Sequence, residues 1–264
     1  MIKVGIGGWT FEPWRGTFYP KGLKHADELN FASRAVTAIE INGTFYRTQS
    51  ATSFAKWRDE TPDDFVFSIK GHRAVVNAKK LAESGEAVDW FMKSGVLELG
   101  PKLGPLLWQL APFKKFDPED LGGFFKLLPR EGGGRPLRHV LEVRHTSFLV
   151  PEFVDLLRKH NVAVVYVDSD DYPAMADVTA DFVYLRLQRS AEDIPTGYAP
   201  EAISEWAGRA RVWASGGEPD DLVRISDKKP PKKKRDVFVF AIAGAKVRAP
   251  AAAMALIKEI GASA

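Results

Sequence analysis

Acidic, basic and amide side chains recur at the ends of strand-like segments in this 264-residue sequence. Residues 36–42 are predicted to form a strand in which Glu40 and Asn42 share one face, because alternate side chains of a pleated strand point the same way. Five later segments repeat this arrangement. They carry Ser68 and Lys70, Gln109, Glu142 and Arg144, Tyr166 and Asp168, and Tyr184 and Arg186. Carboxylates beside cations and amides can transfer protons and hold anions, so these residues are the candidates for chemistry.

Strand and helix signals alternate along the whole chain. The predicted strands are 3–7, 36–42, 65–70, 105–110, 138–144, 162–168, 182–187 and 237–241. The predicted helices are 24–34, one capped by Ser50 or Thr52, 86–99, one that begins after an Asp117 cap, 151–160, 201–213 and 250–261. Residues 169–181 are too short and polar for a full helix, which predicts a degenerate helical layer after strand six.

Eight strands that alternate with helices predict the α/β class and a parallel sheet wound right-handedly into a closed barrel. We therefore expect a single (β/α)8 TIM-type barrel domain over residues 1–264, a length close to the ~250 residues typical of that fold. An open doubly wound sheet is the alternative. The glycine pattern of dinucleotide-binding sheets is absent after strand one, and a count of eight favours closure.

Composition excludes several kinds of site. The chain has no cysteine, which rules out disulfides, thiolate zinc sites and cysteine nucleophiles. No apolar run approaches the ~20 residues of a membrane span, and no signal-peptide pattern opens the chain, so a cytoplasmic location without membrane contact is expected. The net charge is +3, but residues 228–235 supply six positive charges, and the rest of the chain therefore carries −3.

The polar strand residues are expected to point into the barrel at the carboxyl ends of the strands, where active sites of such barrels lie. The alternative is a structural salt-bridge network, for example Glu142 with Arg186 and Glu40 with Lys70, since buried ions must be paired. Charged residues on several separate strands favour a ligand site. Nearby cations would repel a metal ion, so neither a metal nor another cofactor is predicted.

The favoured hypothesis is a metal-independent enzyme of the hydrolase, lyase or isomerase class that acts on a small phosphate- or carboxylate-bearing anion. The predicted catalytic residues are Glu142 as general acid or base, Lys70 and Arg144 as electrostatic stabilisers, and Glu40 and Asp168 as orienting groups. The predicted substrate-binding residues are Asn42, Tyr46, His72, Gln109, His145, Tyr184, Trp9, Trp14 and Arg186, the last as an anion clamp.

Three further features have two interpretations each. Lys246 and Arg248 follow strand eight and lead into a helix, so they form either an anion-binding loop or an ordinary turn. The aromatic residues around Trp9 and Trp14 either stack on a ligand or pack as a satellite core, and packing is favoured. The basic segment 228–235 resembles a nucleic-acid patch, but it should lie at the amino end of the barrel, where a solvated, mobile loop is favoured.

Two other functions remain open at this stage. One is a protein that binds or cleaves nucleic acid or another phosphodiester, with the first-loop aromatics stacked on bases; its affinity would fall steeply with salt. The other is a non-catalytic ligand-binding scaffold. The expected partner is a small anion, nucleic acid is not favoured, and the sequence does not determine the oligomeric state.

Several motifs together resemble one known family. They are Gly7-Gly8-Trp9, residues 14–20, residues 40–46, residues 107–110, residues 142–145 and residues 179–186. With these motifs the chain resembles the YecE-like family, the domain of unknown function numbered 72, over nearly its whole length. The resemblance implies a TIM-type barrel and supplies no established activity; likeness of such barrels to endonuclease IV and sugar-isomerase barrels is an analogy of fold.

Two segments depart from the pattern of that family. Gln188-Arg189 stands where the family has a His-Gly pair after strand seven, and residues 241–243 stand where it has a Phe-Asn-Asn type ending on strand eight. The resemblance therefore implies that this chain lacks polar groups of the family on that side of the barrel and binds a different ligand or has altered chemistry.

Overall fold

A computed structural model describes residues 1–262, in which eight parallel strands close into a barrel. The strands follow one another around the barrel in chain order, and the last pairs with the first. They are β1 Ile2–Gly7, β2 Ala38–Ile41, β3 Val66–Lys70, β4 Leu103–Gln109, β5 His139–Glu142, β6 Ala163–Asp168, β7 Phe182–Leu187 and β8 Asp236–Ala241. A two-stranded hairpin, Glu131–Gly132 with Arg135–Pro136, precedes β5.

Helices surround this barrel. They are α1 Glu28–Ala35, α2 Ala51–Glu60, α3 Arg73–Val76, α4 Gly85–Lys93, α5 Pro118–Leu127, α6 Pro151–His160, α7 Pro200–Ala214 and α8 Ala249–Ala262. Residues 169–181, between β6 and β7, contain no helix. The predicted TIM-type barrel with a degenerate helix after strand six is confirmed. None of the helices within residues 1–262 has both the length and the apolar character needed to cross a bilayer.

Local capping chemistry sets several helix ends. Asp117 caps α5, because its Oδ1 accepts the backbone N–H groups of Glu119 and Asp120 at 3.1 Å each. Ser50, one of the two predicted caps of α2, accepts the N–H of Ser53. Asn161 ends α6 in the left-handed conformation with φ of 48°, which satisfies the last carbonyl groups. These short-range signals explain why sequence alone located the helices.

The predicted helix 86–99 is wrong in its second half. Helix α4 ends at Lys93, and a 3₁₀ segment, Val96–Lys102, follows after Gly95. Gly95 has φ of 114°, and a Cβ there would lie 2.5 Å from Cα of Ala51. The backbone therefore turns where α2 packs closely. The apolar periodicity continues through the turn because Val96 and Leu99 remain buried, which hides the break from a pattern search.

Pairing between strands decides which side chains fill the barrel. Val165 and Val167 of β6 pair with Tyr184 and Arg186 of β7, whose side chains point inward. Paired residues of neighbouring parallel strands point the same way, so the two valines fill the interior and Tyr166 and Asp168 face the helical layer. The prediction that Tyr166 and Asp168 point inward is therefore wrong. Tyr166 instead packs against Trp206 and Trp213 of α7.

The close approach of β1 and β2 gives a test of this packing. A Cβ on Gly5 would lie 2.1 Å from the carbonyl oxygen of Ala38, two residues before Glu40. We expect Gly5→Ala to lower the free energy of unfolding by about 1–3 kcal/mol or more, because the backbone must move to relieve the overlap. Urea denaturation measures the change.

The matched control is Gly208→Ala in α7, where an added Cβ meets no atom within 4 Å. Alanine in a helix is favoured over glycine by roughly 0.5–1 kcal/mol, so this variant should be slightly more stable than the wild type. Equal effects of the two substitutions would contradict the described contact between β1 and β2.

Candidate active site

Eight side chains from five strands and the segment that follows one of them meet at the carboxyl end of the barrel. This mouth cluster comprises Glu40, Ser68, Lys70, Gln109, Glu142, Arg144, Tyr184 and Arg186. Sequence alternation predicted all of them to point inward, and in the structure they form one continuous hydrogen-bonded network. Its centre is fully removed from solvent, whereas Lys70 and Arg144 are partly exposed.

Each carboxylate oxygen of Glu40 accepts a hydrogen bond from a side chain of β7. Its Oε1 accepts from Nη2 of Arg186 at 3.0 Å, and its Oε2 accepts from the Tyr184 hydroxyl at 2.6 Å. The Tyr184 oxygen also lies 2.7 Å from Oγ of Ser68. Burial, followed by the neighbouring Glu40 charge, raises the pKa of Tyr184, so this phenol remains a neutral donor. Glu40 is thereby fixed as a buried acceptor.

The carboxylate of Glu142 accepts hydrogen bonds from three side chains. Its Oε1 accepts from Nε2 of Gln109 and from Nε of Arg144, both at 2.8 Å. Its Oε2 accepts from Nη1 of Arg186 at 2.5 Å. The side chain has 0% exposure. Both oxygens therefore have partners, and no water-facing lone pair is left for a substrate proton.

Electrostatics keep Glu142 ionised. Burial alone would raise its pKa, but the charges of Arg186 and Arg144 outweigh burial and lower the pKa on balance. The same attraction raises the pKa of Arg186 against the cost of burial. A saturated carboxylate with a lowered pKa is better suited to positioning cations than to general acid–base catalysis. The geometry thus favours a positioning role for Glu142.

Lys70 forms the solvent-facing edge of the cluster. Its Nζ donates to Oε1 of Gln109 at 2.7 Å and lies 4.5 Å from the centre of the Phe45 ring. The alternative of a structural salt-bridge network predicted a pair between Lys70 and Glu40. In the structure the ammonium group of Lys70 instead contacts the side-chain amide of Gln109. Burial, with the nearby charge of Arg186, lowers the pKa of Lys70 to about 8.

Arg144 forms the other part of this edge. Its side chain is 20% exposed, its Nε donates to Glu142, and its guanidinium lies 4.3 Å from the centre of the Tyr172 ring. Neither Nη1 nor Nη2 of Arg144 donates a hydrogen bond to a group within residues 1–262. The guanidinium is thus held by an ion pair and an aromatic ring while its terminal nitrogens remain available for an acceptor.

The cluster carries a surplus of positive charge. Arg186, Arg144 and Lys70 supply three cations against the two carboxylates Glu40 and Glu142. Because Arg186 is buried between both carboxylates, the surplus lies with Lys70 and Arg144 at the solvent-facing edge. An anion bound there would complete the charge balance.

The remaining predicted residues of the mouth lie at its rim. Asn42 is partly exposed, with Nδ2 at 3.4 Å from the Glu40 carbonyl, and Tyr46 is 68% exposed. His72 and His145 each use Nδ1 to accept a backbone N–H at 3.1 Å, from Ala74 and Ser147 respectively. Both histidines therefore cap short helical turns, and Nε2 of His72 also lies 3.3 Å from the Tyr46 carbonyl oxygen.

Asp168 lies in a different cavity from the mouth cluster. This cavity has a volume of about 420 Å³ and lies between β6 and α7, beside Tyr198 and Arg189. The Tyr198 hydroxyl is 3.2 Å from Oδ2 of Asp168, and burial raises the pKa of the carboxyl group. Its predicted role as an orienting group of the mouth is therefore not compatible with its position.

The first-loop tryptophans pack as the favoured interpretation predicted, but they join the main hydrophobic core between barrel and helices and do not form a separate satellite core. Trp14 has 0% exposure and donates from Nε1 to the Lys246 carbonyl at 2.9 Å, so the prediction that it contacts a substrate is not compatible with its position. Trp9 packs edge-to-face on Trp57 of α2. The loop was ambiguous in the sequence because exposed and buried aromatic clusters have the same composition.

Both cations of the predicted anion-binding loop after β8 contact other groups of the protein. Nζ of Lys246 lies 4.4 Å from the centre of the Phe11 ring, and burial lowers its pKa. Nε of Arg248 donates to the Glu192 carbonyl at 2.8 Å. These contacts tie the last loop to the first loop and to the segment after β7. Anion binding by Lys246 and Arg248 stays a prediction.

Sequence reasoning missed two residues that shape the site. Tyr172, which holds Arg144, comes from the irregular segment 169–181, and no pattern marked it. Thr44 donates from Oγ1 to the Lys70 carbonyl at 2.7 Å and so fixes the end of β3. The position of Thr44 in the turn after β2 is the sequence feature that could have indicated this role. Within residues 1–262 no group of three acidic or histidine side chains has the arrangement of a metal site.

Arg186 provides the sharpest test of the cluster. We expect Arg186→Met to lower the free energy of unfolding by roughly 3–5 kcal/mol, because two buried carboxylates lose their shared cation. Without Arg186, burial should raise the pKa of Glu142, so the variant should recover part of this loss as the pH falls towards the ordinary pKa of a glutamate, where protonation removes the uncompensated charge. Thermal and urea denaturation across pH 4 to 8 measure both effects.

The control is Arg34→Met, the same exchange at an exposed position of α1, for which a change within about 0.5 kcal/mol is expected. Indistinguishable stabilities of the two variants at pH 7 would show that Arg186 is not the shared partner of the carboxylates.

Comparisons with known proteins agree with the resemblance seen in the motifs. The sequence profile of the family described as "Protein of unknown function DUF72" matches residues 3–264. The UPF0759 protein YunF of Bacillus subtilis is 24% identical over 160 residues, and the UPF0759 protein YecE of Escherichia coli K12 is 26% identical over 148 residues. These matches cover 59% and 56% of this chain but only 55% and 50% of the relatives, so the matched region spans about half their length.

Solved structures show the same fold. A DUF72 family protein of Thermotoga maritima superposes with a TM-score of 0.73 at 23% identity over all of both chains. One from Enterococcus faecalis gives 0.68 at 17% identity, over 99% of this chain and 98% of that chain. SacUVDE gives 0.57 at 10% identity over 99% of each chain, a likeness of fold alone. With a profile match over almost its entire length, the chain belongs to the DUF72 family.

Proposed function

We propose that the barrel mouth binds a small anion with a phosphate or carboxylate group, and that Lys70 acts on it as a general acid. The observation that carries the proposal is the positive surplus of the mouth cluster, which lies with Lys70 and Arg144 at the solvent-facing edge. The carboxylates cannot neutralise this surplus, because Glu40 and Glu142 already have partners at every oxygen.

Arg144 is the proposed anchor for the anion. A guanidinium donates two parallel hydrogen bonds to a carboxylate or phosphate, and the bond strength depends on holding its plane in place. Glu142 fixes one edge of the Arg144 plane and Tyr172 covers a face, so little side-chain freedom remains to be lost on binding. The terminal nitrogens of Arg144 are the groups that would contact the ligand.

Lys70 is the proposed proton donor. An ammonium group with a pKa of about 8 is protonated at neutral pH, yet it releases its proton far more readily than an ordinary lysine. In the proposed step, Nζ gives one proton to a substrate oxygen on which negative charge develops, and the neutral amine then regains a proton from water. Gln109 accepts from Lys70 and donates to Glu142, which also accepts from Arg144. These hydrogen bonds fix the position of the ammonium group relative to Arg144.

This proposal retains the metal-independent enzyme, the small anionic substrate and the cytoplasmic location expected from sequence, and it changes the role of Glu142 to that of a positioning residue. A nucleic-acid function of the mouth has less support, since the buried Trp14 cannot stack on a base. The likeness to SacUVDE is one of fold and does not add a function.

Anion binding at the mouth should depend on the charge of Lys70. We expect phosphate or a small carboxylate such as citrate to bind at pH 7 and to bind more weakly at pH 9.5, because Lys70 loses its proton above about pH 8. Lys70→Gln should weaken binding about tenfold and remove most of the pH dependence. Arg144→Gln should weaken binding while the pH dependence remains. Isothermal titration calorimetry measures each affinity.

The matched control for this experiment is Lys246→Gln, which removes a cation from the Phe11 contact at the same end of the barrel. Its affinity should equal that of the wild type. Loss of binding in Lys246→Gln with retention in Lys70→Gln would place the anion at the loop after β8 and would refute the proposed site.

The titration of Lys70 should also be visible without a ligand. Its pKa in the folded protein, about 8, lies below the ordinary value of 10.5, so the unfolded chain binds more protons between these values. Stability should therefore rise with pH over this window, relative to Lys70→Gln measured in parallel. Matching pH profiles of the two proteins in urea denaturation would mean that Lys70 keeps an ordinary pKa.

A further inference from the structure

Two arginines line a cavity at the amino end of the barrel, opposite the mouth cluster. The cavity has a volume of about 220 Å³ and lies between the end of α6, residues 178–181 and residues 230–235. Arg158 of α6, Lys233 and Arg235 are among the residues that line it. Asp181 is the one acidic residue of the lining, and it is exposed. The cavity lining is therefore strongly basic.

Neither guanidinium group of this cavity forms a salt bridge within residues 1–262. Arg235 is only 3% exposed, and its hydrogen bonds go to the carbonyl groups of Gly217 and Pro231. Arg158 donates to the Val178 carbonyl at 3.1 Å and to the Ser226 hydroxyl at 3.2 Å. No carboxylate in residues 1–262 forms a salt bridge with either arginine, and Nη2 of Arg158 and Nε of Arg235 have no hydrogen-bond partner there.

A buried cation without a counterion is costly, because it has lost its water and gained no compensating charge. Burial accordingly lowers the pKa of Arg235, and the charge of Glu218 opposes this shift only in part. An anion in the cavity would compensate Arg158 and Arg235 together. Phosphate is the group whose geometry suits two guanidinium groups and an ammonium group.

The adjoining basic strap, residues 228–235, extends this positive surface beyond the cavity. Four of its lysines, Lys229, Lys232, Lys233 and Lys234, are exposed, and none of the salt bridges within residues 1–262 involves them. Lys228 pairs with Asp155 at 2.6 Å. The strap thus carries a row of cations that a single small phosphate compound in the cavity would leave without partners.

Both ends of the basic strap are anchored. Before it, the Asp177 carboxylate accepts the backbone N–H groups of Ile225 and Ser226 at 2.8 Å and 2.9 Å. At its end, Arg235 is buried and its backbone N–H donates to the Ala214 carbonyl at 3.2 Å. These contacts hold the intervening lysines beside the cavity. The sequence favoured a solvated, mobile loop here. In the structure the lysines of the basic strap are exposed to solvent, while both ends of the segment are held by hydrogen bonds.

We propose that the amino end of the barrel binds the phosphodiester backbone of a nucleic acid. One phosphate would occupy the cavity between Arg158, Lys233 and Arg235, and neighbouring phosphates would contact the exposed lysines of the basic strap. The recessed cavity, together with a strap whose only apolar residues are prolines, suits a phosphate chain better than a flat lipid surface. This inference is independent of the function proposed for the mouth.

The direct test is fluorescence anisotropy of a labelled 20-nucleotide DNA, single-stranded and duplex, titrated with the full chain between 50 and 300 mM salt. We expect affinity to fall linearly on a log–log plot, with a slope of about −0.9 per phosphate neutralised on duplex DNA. Replacing Lys229, Lys232, Lys233 and Lys234 by Gln should weaken binding at least about tenfold and make the slope shallower.

The matched control replaces four exposed lysines on the outer helices, Lys56, Lys93, Lys126 and Lys258, by Gln, which gives the same net charge. It should bind within about twofold of the wild type. Arg158→Gln should also weaken binding, and circular dichroism melting identifies any variant that fails to fold. Since the strap lysines are exposed, the fourfold variant keeps the test valid even if Arg158→Gln unfolds.

Four results would overturn the proposal: no binding of either DNA by the wild type at 50 mM salt, equal loss in the two fourfold variants, binding to vesicles with 30% phosphatidylserine but not to DNA, or displacement of bound DNA by stoichiometric pyrophosphate. Inorganic phosphate and pyrophosphate, added at matched ionic strength, distinguish the sources of the phosphate group. If phosphate and pyrophosphate displace the DNA only at concentrations far above the DNA phosphate concentration, the ligand is a polyanion, as proposed. If stoichiometric pyrophosphate displaces the DNA, the ligand is a small phosphate compound instead.

Discussion

The burial of Arg186 between two ionised carboxylates is the constraint on which the carboxyl end of the barrel depends. Glu40, Glu142 and Arg186 come from β2, β5 and β7, so their contacts cross the barrel and connect distant strands. Such an arrangement contributes little to stability compared with apolar packing, yet it is costly to disrupt because each ion has lost its water. It therefore determines how these strands are placed relative to one another.

That placement determines what reaches the solvent. The two carboxylates use their oxygens internally, and the uncompensated charge lies with Lys70 and Arg144. Gln109 connects the buried and exposed parts, because its amide accepts from the ammonium group of Lys70 and donates to Glu142. The buried acids thus act as supports, and the chemistry available to a ligand is that of two oriented cations.

The two ends of the barrel show two different solutions for a buried arginine. Arg186 at the mouth has two carboxylate partners, whereas Arg235 at the amino end has only backbone carbonyls. In TIM-type barrels the carboxyl end holds the active site and the amino end usually serves stability. A buried arginine that forms no salt bridge within residues 1–262, next to an anchored, lysine-rich strap, departs from that division and makes the amino end a second electrostatic feature of this family member.

By itself the sequence determined the number and order of the strands, most helix ends and the inward face of β2, β3, β5 and β7, because periodicity and capping are local properties of the chain. It predicted the wrong inward face for β6, since both sides of that strand are buried and alternation cannot then tell interior from helical layer. Only the pairing of Val165 and Val167 with β7 decided it. The partner of Lys70, the burial of Trp14 and the unpaired charge of Arg235 also required the tertiary structure, because distances between segments far apart in the chain decide which charges and rings meet.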